Sequence, residues 1–295
     1  MPRAKRHMRA CWALVALALA CNSGAQETKL PPAARPAAPA PAPTPAPPEE
    51  PAPPLYEEAA GVEYLELRTA DADADAELPM IVAIHGLGDR PEHFAELVRA
   101  LPFPARVILP RALDDHEGGY SWFPLRARTD DLEGLAQGIT LASDKIAGLL
   151  AALTEARPTV GKPIVTGFSQ GGMLSFALAA AHPEQIAEAV PIGGWLPPPL
   201  WPKEQAPKDT SKNPPVIALH GDADKALFID NTRASVAHQR ALGYDVTLVE
   251  YPEVGHQITA AMREQLYAAL ATAAARQASP GRSDRAKPQD PKDTP

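Results

Sequence analysis

Two hydrophobic periods alternate along the middle of the chain. Short apolar runs occur at "VEYLELR" (62–68), "MIVAIH" (80–85), "RVILP" (106–110), "PIVTG" (163–167), "EAVPIGG" (188–194), "PVIALHG" (215–221) and "DVTLVEY" (245–251). Between most of them lie segments whose apolar residues recur at helical spacing: "PEHFAELVRAL", "DDLEGLAQGITLASDKIAGLLAALTEA", "QGGMLSFALAAAH", "FIDNTRASVAHQRAL" and "QITAAMREQLYAALATAAA". Apolar strands alternating with amphipathic helices predict an α/β domain, a mostly parallel sheet with helices on both faces. In such a sheet the functional groups gather on loops beyond the carboxyl ends of the strands.

The flanks read differently. Residues 1–21 have a basic start, an apolar run from Cys11 to Ala20 and then Cys21. That run is too short to span a bilayer, so it predicts a signal peptide. "LALA" followed by Cys21 suits a bacterial lipoprotein signal, with Cys21 lipidated after cleavage. A cut after "SGA" (23–25) and ordinary periplasmic or secreted export is the alternative. Residues 22–60, dominated by alternating Pro and Ala, predict a disordered, polyproline-like linker. A single α/β domain is expected over 61–276, and the charged segment 277–295 reads as a disordered tail.

Composition removes several classes of function. Both cysteines, Cys11 and Cys21, lie in the leader, so the core has neither a disulfide nor a cysteine nucleophile. A formal net charge of −8, with no basic cluster in the core, argues against nucleic acid as a partner. No cluster with metal-ligand spacing stands out, and neither metal nor organic cofactor is expected.

One short stretch carries candidate chemistry. "GFSQGG" (167–172) follows an apolar strand and opens a helical pattern, so Gly167 and Gly171 permit a tight turn that projects the Ser169 hydroxyl above the sheet. The helix beginning at Gln170 favours negative charge at that point. A serine hydroxyl needs a base, and the base needs an orienting group. In this topology they follow in the order acid, then histidine. "HGDADKALF" supplies Asp222 and Asp224 after one strand, and "EVGH" supplies His256 after the last. Of the eight histidines, His7 lies in the leader, His93, His182 and His238 fall in or beside helical patterns, and His116 is in a polar loop. His85 and His220 close strands before a glycine, as buried structural histidines do. His256 is the candidate base.

The stretches "HGLGD" (85–89), "GGYSWF" (118–123), "GFSQGG" (167–172), "GGWLP" (193–197), "HGDAD" (220–224) and "GH" (255–256) together resemble the phospholipase/carboxylesterase branch of the α/β-hydrolases, the group that includes acyl-protein thioesterases. The six segments fall in the family's order and span nearly the whole core. The resemblance implies an α/β-hydrolase fold, Ser169 as nucleophile, His256 as general base and then acid, and Asp224 as the orienting carboxylate. It places the oxyanion-hole N–H groups at Leu87 and Gln170. The family spacing selects Asp224 over Asp222, which is expected to cap its turn. Two departures stand out: Pro124 replaces an acid after "SWF", and "KALF" (225–228) replaces "PLVP". Trp122 and Trp195 are expected to line a substrate pocket, with Trp201 in the Pro-rich segment 195–215 as a further candidate.

The expected function is hydrolysis of carboxylic esters or thioesters, with a small-molecule or lipid ester as substrate and a membrane tether through Cys21 in the cell envelope. A secreted peptidase of the same superfamily and a catalytically idle envelope lipoprotein are the alternatives. The first is weakened by the absence of a propeller-forming domain from the sequence, the second by the intact set of serine, acid and histidine.

Overall fold

The structure is a computed structural model that describes residues 55–124 and 128–279. The leader with Cys21, nearly all of the Pro/Ala-rich linker and nearly all of the expected C-terminal tail lie outside the described residues. Within them the strands are β1 (Glu57–Ala59), β2 (Val62–Arg68), β3 (Met80–Ile84), β4 (Arg106–Pro110), β5 (Asp114–His116), β6 (Gly119–Ser121), β7 (Ile164–Phe168), β8 (Glu188–Ile192), β9 (Val216–Gly221) and β10 (Val246–Tyr251). The helices are α1 (Pro91–Val98), α2 (Leu132–Ala156), α3 (Gln170–Ala181), α4 (Ile229–Ala241) and α5 (Ala260–Ala278).

Eight strands form one sheet in the order β1-β2-β4-β3-β7-β8-β9-β10. β1 with β2 and β2 with β4 pair antiparallel, and every other neighbouring pair is parallel. This is the mostly parallel sheet that the strand–helix alternation predicted, in the α/β-hydrolase arrangement that the resemblance implied. All seven apolar runs became strands of this sheet, and all five helical patterns became helices.

Burial on both faces explains the nearly continuous apolar strands. In β3, Met80, Val82 and Ile84 point into a core shared with α2, α3 and α4, while Ile81 and Ala83 point to the opposite face. There they meet Phe94, Leu97 and Val98 of α1 and Leu266 and Leu270 of α5.

Three features depart from expectation. The sheet begins at Glu57, inside the segment assigned to the linker, because β1 pairs with β2 through a turn at Ala60 and Gly61, both at positive φ. α5 runs to Ala278, slightly past the expected boundary. A two-stranded ribbon, β5–β6, lies between β4 and α2, where its polar three-residue strands leave no hydrophobic period.

One charge cluster is built into the sheet. Arg106 of β4, 1% exposed, pairs with Glu66 of β2 and donates to Ala74 O (2.9 Å), while Arg157 Nε reaches the other Glu66 oxygen at 3.0 Å. Removing one partner of a buried ion pair strands the other charge. Glu66→Ala is therefore expected to lower stability by about 3–5 kcal/mol. Urea denaturation checks this, and a loss within ~0.5 kcal/mol would show that the pair is dispensable.

Candidate active site

The site forms where the carboxyl ends of β3, β7, β9 and β10 converge. β7 ends at Phe168, and Ser169 follows at φ 57° and ψ −115°, a backbone conformation that non-glycine residues rarely adopt. α3 then starts at Gln170. The turn is held by the Ser169 N–H, which donates to Ile192 O of β8 (3.0 Å), and by the first helical bond, from Met173 N to Ser169 O (3.0 Å). The flanking glycines are required by close approach: a Cβ on Gly171 would collide with the Ile84 carbonyl, and one on Gly167 with the backbone of Gly171.

His256 lies in the loop between β10 and α5, and its ring stacks on Phe168 with centroids 4.6 Å apart. Its Nε2 is 3.0 Å from Ser169 Oγ and its Nδ1 is 2.7 Å from Asp224 Oδ2. An ionised carboxylate only accepts, so Nδ1 carries the proton and Nε2 of the neutral ring accepts from the serine hydroxyl. Three residues far apart in sequence thus form one hydrogen-bonded chain.

Asp224 is buried. Its Oδ1 accepts from the N–H groups of Ala226 and Leu227, both at 2.8 Å. Burial opposes its ionisation, but donors from His220, His256 and Leu227 outweigh that cost and hold the carboxyl well below the usual carboxylate range. Asp222 is exposed and its Oδ1 accepts from the Glu253 N–H at 2.6 Å, which ties the loop after β9 to the loop after β10.

Leu87 and Gln170 border the same cleft as Ser169 and His256. Among the described residues, neither of their backbone N–H groups has an intramolecular acceptor. The cleft has a volume of about 390 Å³ and is also lined by Arg128, Ala226 and Leu227. A second cavity of about 300 Å³ shares Leu87 and Gln170 with it and is bounded by Asp114, Asp115 and His116 of the β5–β6 ribbon.

The two expected pocket tryptophans are elsewhere. Trp122 (1% exposed) and Trp195 (4%) both pack into the core beside α2 and α3, and neither borders the cleft. Trp201 is half-buried, stacked on His238, with its indole N–H donating to Leu196 O (2.6 Å). Position near a glycine motif says nothing about which way an indole turns. Trp122 has a different part: its Nε1–H donates to His85 O (2.9 Å), bracing the loop that carries Leu87.

Three supporting groups escaped the sequence. The Gln170 side chain, 3% exposed, accepts from Trp122 N (3.0 Å) and donates to Phe123 O (3.1 Å), fastening the start of α3 to the segment after β6. The buried His85 ring accepts from Ala112 N at Nε2, which leaves Nδ1–H to donate to Gly86 O (2.7 Å). Burial pushes its pKa down, so it stays neutral. His220 donates from Nε2 to Leu227 O (2.9 Å), and that nitrogen stands 3.4 Å from Asp224 Oδ2. "Histidine closing a strand" suggested a buried residue for both, but gave no sign that His220 touches Asp224.

A sequence model of the phospholipase/carboxylesterase family matches residues 68–274. The chain belongs to that family. It is 25% identical over 214 residues to acyl-protein thioesterase 1 of Gibberella zeae, an alignment covering 63% of this chain and 90% of the relative. Among solved structures, esterase PE8 superposes with a TM-score of 0.61 at 24% identity, covering 72% of this chain and 98% of the other. Zea mays acyl-protein thioesterase 2 gives a TM-score of 0.58 at 24% identity, covering 71% and 98%. These likenesses reinforce the fold.

The two aspartates make a sharp comparison. In Asp224→Asn, the amide NH₂ must face either the N–H groups of Ala226 and Leu227 or the His256 Nδ1–H, so a donor meets a donor in both orientations. Ester hydrolysis is expected to fall by about 10³–10⁴-fold, as when a triad aspartate loses its charge in another hydrolase. Asp222→Asn keeps an oxygen for Glu253 N–H and is expected to change kcat/KM by less than about threefold. Steady-state kinetics on one activated ester decide it; the reverse ranking would move the orienting role to Asp222.

Proposed function

We propose that this chain is a serine hydrolase of carboxylic esters or thioesters, working through Ser169, His256 and Asp224. The observation that supports this most directly is the chain of short contacts from Ser169 Oγ through the His256 ring to a buried, ionised Asp224. The family's description, phospholipase/carboxylesterase, and the name of the relative, acyl-protein thioesterase 1, agree with it.

In the proposed reaction Ser169 Oγ attacks the acyl carbon as its proton passes to His256 Nε2. Asp224 stabilises the resulting imidazolium and keeps its Nδ1–H in place. The carbonyl oxygen becomes an oxyanion and accepts from the free N–H groups of Leu87 and Gln170; in known cases one such donor contributes roughly 3–4 kcal/mol to the transition state. Collapse expels the alcohol or thiol, which takes the proton from Nε2. Water then attacks the acyl-enzyme, giving its proton to His256, and the carboxylic acid leaves as Ser169 regains its hydrogen.

The apolar lining of the cleft is short: Leu87, Ala226 and Leu227, with both tryptophans withdrawn into the core. Such a cleft suits a small acyl group. Each buried methylene contributes about 0.8 kcal/mol, roughly a fourfold gain, for as long as carbons meet these side chains.

Ser169→Ala and His256→Ala are each expected to lower turnover by about 10⁴-fold or more. In the wild type, kcat/KM for p-nitrophenyl esters should rise from acetate over the next few carbons and then level off. Asp224, held well below the usual carboxylate range, should add no step of its own to the pH–activity profile at about pH 4, where an ordinary carboxylate would. The measurements are an ester panel, a pH profile and fluorophosphonate labelling. Unimpaired ester turnover by Ser169→Ala would remove the nucleophile assigned here.

The membrane tether is a separate proposal that rests on the sequence of residues 1–21 alone. Cys21→Ser is expected to release the protein from the membrane fraction. A mature N-terminus at Gln26, carrying no lipid, would replace tethering with ordinary secretion.

A further inference from the structure

Among the described residues lining the cleft around Ser169, Arg128 alone carries a fixed charge. The others are Leu87, Ser169, Gln170, Ala226, Leu227 and His256. Arg128 is distant in sequence from each of them, and no motif pointed to it.

The guanidinium is held in place from two sides. Its carbon lies 4.5 Å from the centroid of the Phe228 ring, and its Nη1 donates to Lys225 O at 3.0 Å. Phe228 is one of the few large apolar side chains left exposed, and the stacked guanidinium covers part of it. Lys225 and Phe228 are the first and last residues of "KALF", the segment that departs from the family pattern at the loop bearing Asp224. Among the described residues no carboxylate lies within ion-pair distance of Arg128. In a chain with a net charge of −8, that leaves a cation oriented at the cleft with most of its five N–H donors uncommitted.

The adjoining cavity has the opposite character. Asp114 and Asp115 border it, and it meets the first cleft at Leu87 and Gln170. A substrate whose carbonyl lies against these two residues therefore experiences a positive wall on one side and a negative wall on the other. An anionic group directed toward Arg128 is attracted there and repelled from the aspartates.

We propose that Arg128 is a specificity-determining residue that selects esters bearing an anionic group, a carboxylate or phosphate-like oxygen anion, a few bonds from the scissile carbonyl. This deepens the hydrolase reading and rests on it. The planar guanidinium offers two parallel N–H groups to such an anion, and its stacking on Phe228 fixes the orientation beforehand, so less side-chain freedom is lost on binding.

The test compares p-nitrophenyl valerate with the mono-p-nitrophenyl ester of glutaric acid, which has the same number of acyl carbons but ends in a carboxylate. A third ester ending in a phosphonate separates the two anion types. Wild type, Arg128→Gln and Arg128→Lys are assayed on all three at low and high salt. For the wild type, kcat/KM is expected to be about ten- to hundredfold higher on at least one anionic ester than on valerate, chiefly through KM, and to decline with salt. In Arg128→Gln the ratio should fall to near one, and Arg128→Lys should retain part of it, since lysine keeps the charge but loses the fork.

Equal ratios in wild type and Arg128→Gln, with valerate hydrolysed, would overturn this proposal and leave the hydrolase reading standing. If folded protein turned over none of the esters, the hydrolase reading itself would fall. Binding to anionic lipid vesicles provides a further arm. Vesicle binding lost in Arg128→Gln, with ester selectivity unchanged, would make Arg128 a membrane contact and defeat its role in substrate choice.

Discussion

Everything at the candidate site depends on one unfavourable backbone geometry, the positive φ of Ser169. A non-glycine residue in such a region costs of order 1–3 kcal/mol and persists only when its surroundings over-determine it. Here they do. β7 is fixed between β3 and β8, α3 packs against the same sheet, and the Ser169 N–H is bonded to Ile192 of the neighbouring strand. The turn is compressed so far that Gly167 and Gly171 admit no side-chain carbon. The apolar interior, by holding strand and helix in contact, lifts one hydroxyl out of the sheet and leaves the first N–H of α3 without an acceptor.

Around that turn, the polar groups divide into those that are satisfied and those that are not. Asp224 has its oxygens filled by Ala226, Leu227 and His256, and the side chain of Gln170 is engaged by Trp122 and Phe123. His85 is bonded at both ring nitrogens. These groups are fixed before any substrate arrives, and water has little to reorganise among them. The Leu87 and Gln170 N–H groups are the exception. In the proposed reaction they find an acceptor only when charge reaches the carbonyl oxygen, so their hydrogen bonds strengthen as the barrier is climbed.

The fold was legible because the central strands are buried on both faces and most helices on one, so hydrophobic period and architecture carry the same information. α3, buried on all sides over Gln170–Leu178, reads instead as a continuous apolar run. β1 and the β5–β6 ribbon were not legible: three-residue strands of Glu-Glu-Ala, Asp-Asp-His and Gly-Tyr-Ser have no period to detect. At the candidate site, Ser169 stood out because its turn demands glycines at fixed offsets, and His256 because strand order limits where a partner for that serine can come from. Choosing Asp224 over Asp222 needed the family spacing, since both follow β9 within four residues. The tryptophans were misjudged because an indole's direction is set by tertiary packing. Trp122 turns inward to donate to His85 O, a contact between residues 37 positions apart.

Arg128 was invisible in sequence for the same reason, and in the role proposed for it specificity is added to a fixed scaffold. The groups assigned to bond breaking lie on turns tied directly to the sheet, where a shift of one residue would break several hydrogen bonds. Among the described residues, Arg128 is attached only to the outer loop, through the Lys225 carbonyl and the face of Phe228. Both attachments lie just beyond Asp224, yet neither Lys225 nor Phe228 helps to hold its carboxylate; the Ala226 and Leu227 N–H groups between them do. Two interleaved sets of residues thus share one short loop. One set fixes the Asp224 carboxylate through its backbone, so its side chains can vary at little cost to that contact. The other presents a charge to the cleft through a carbonyl and an aromatic face. The sequence can depart from the family pattern at 225–228 and still keep the hydrogen-bonded chain from Ser169 to Asp224 intact.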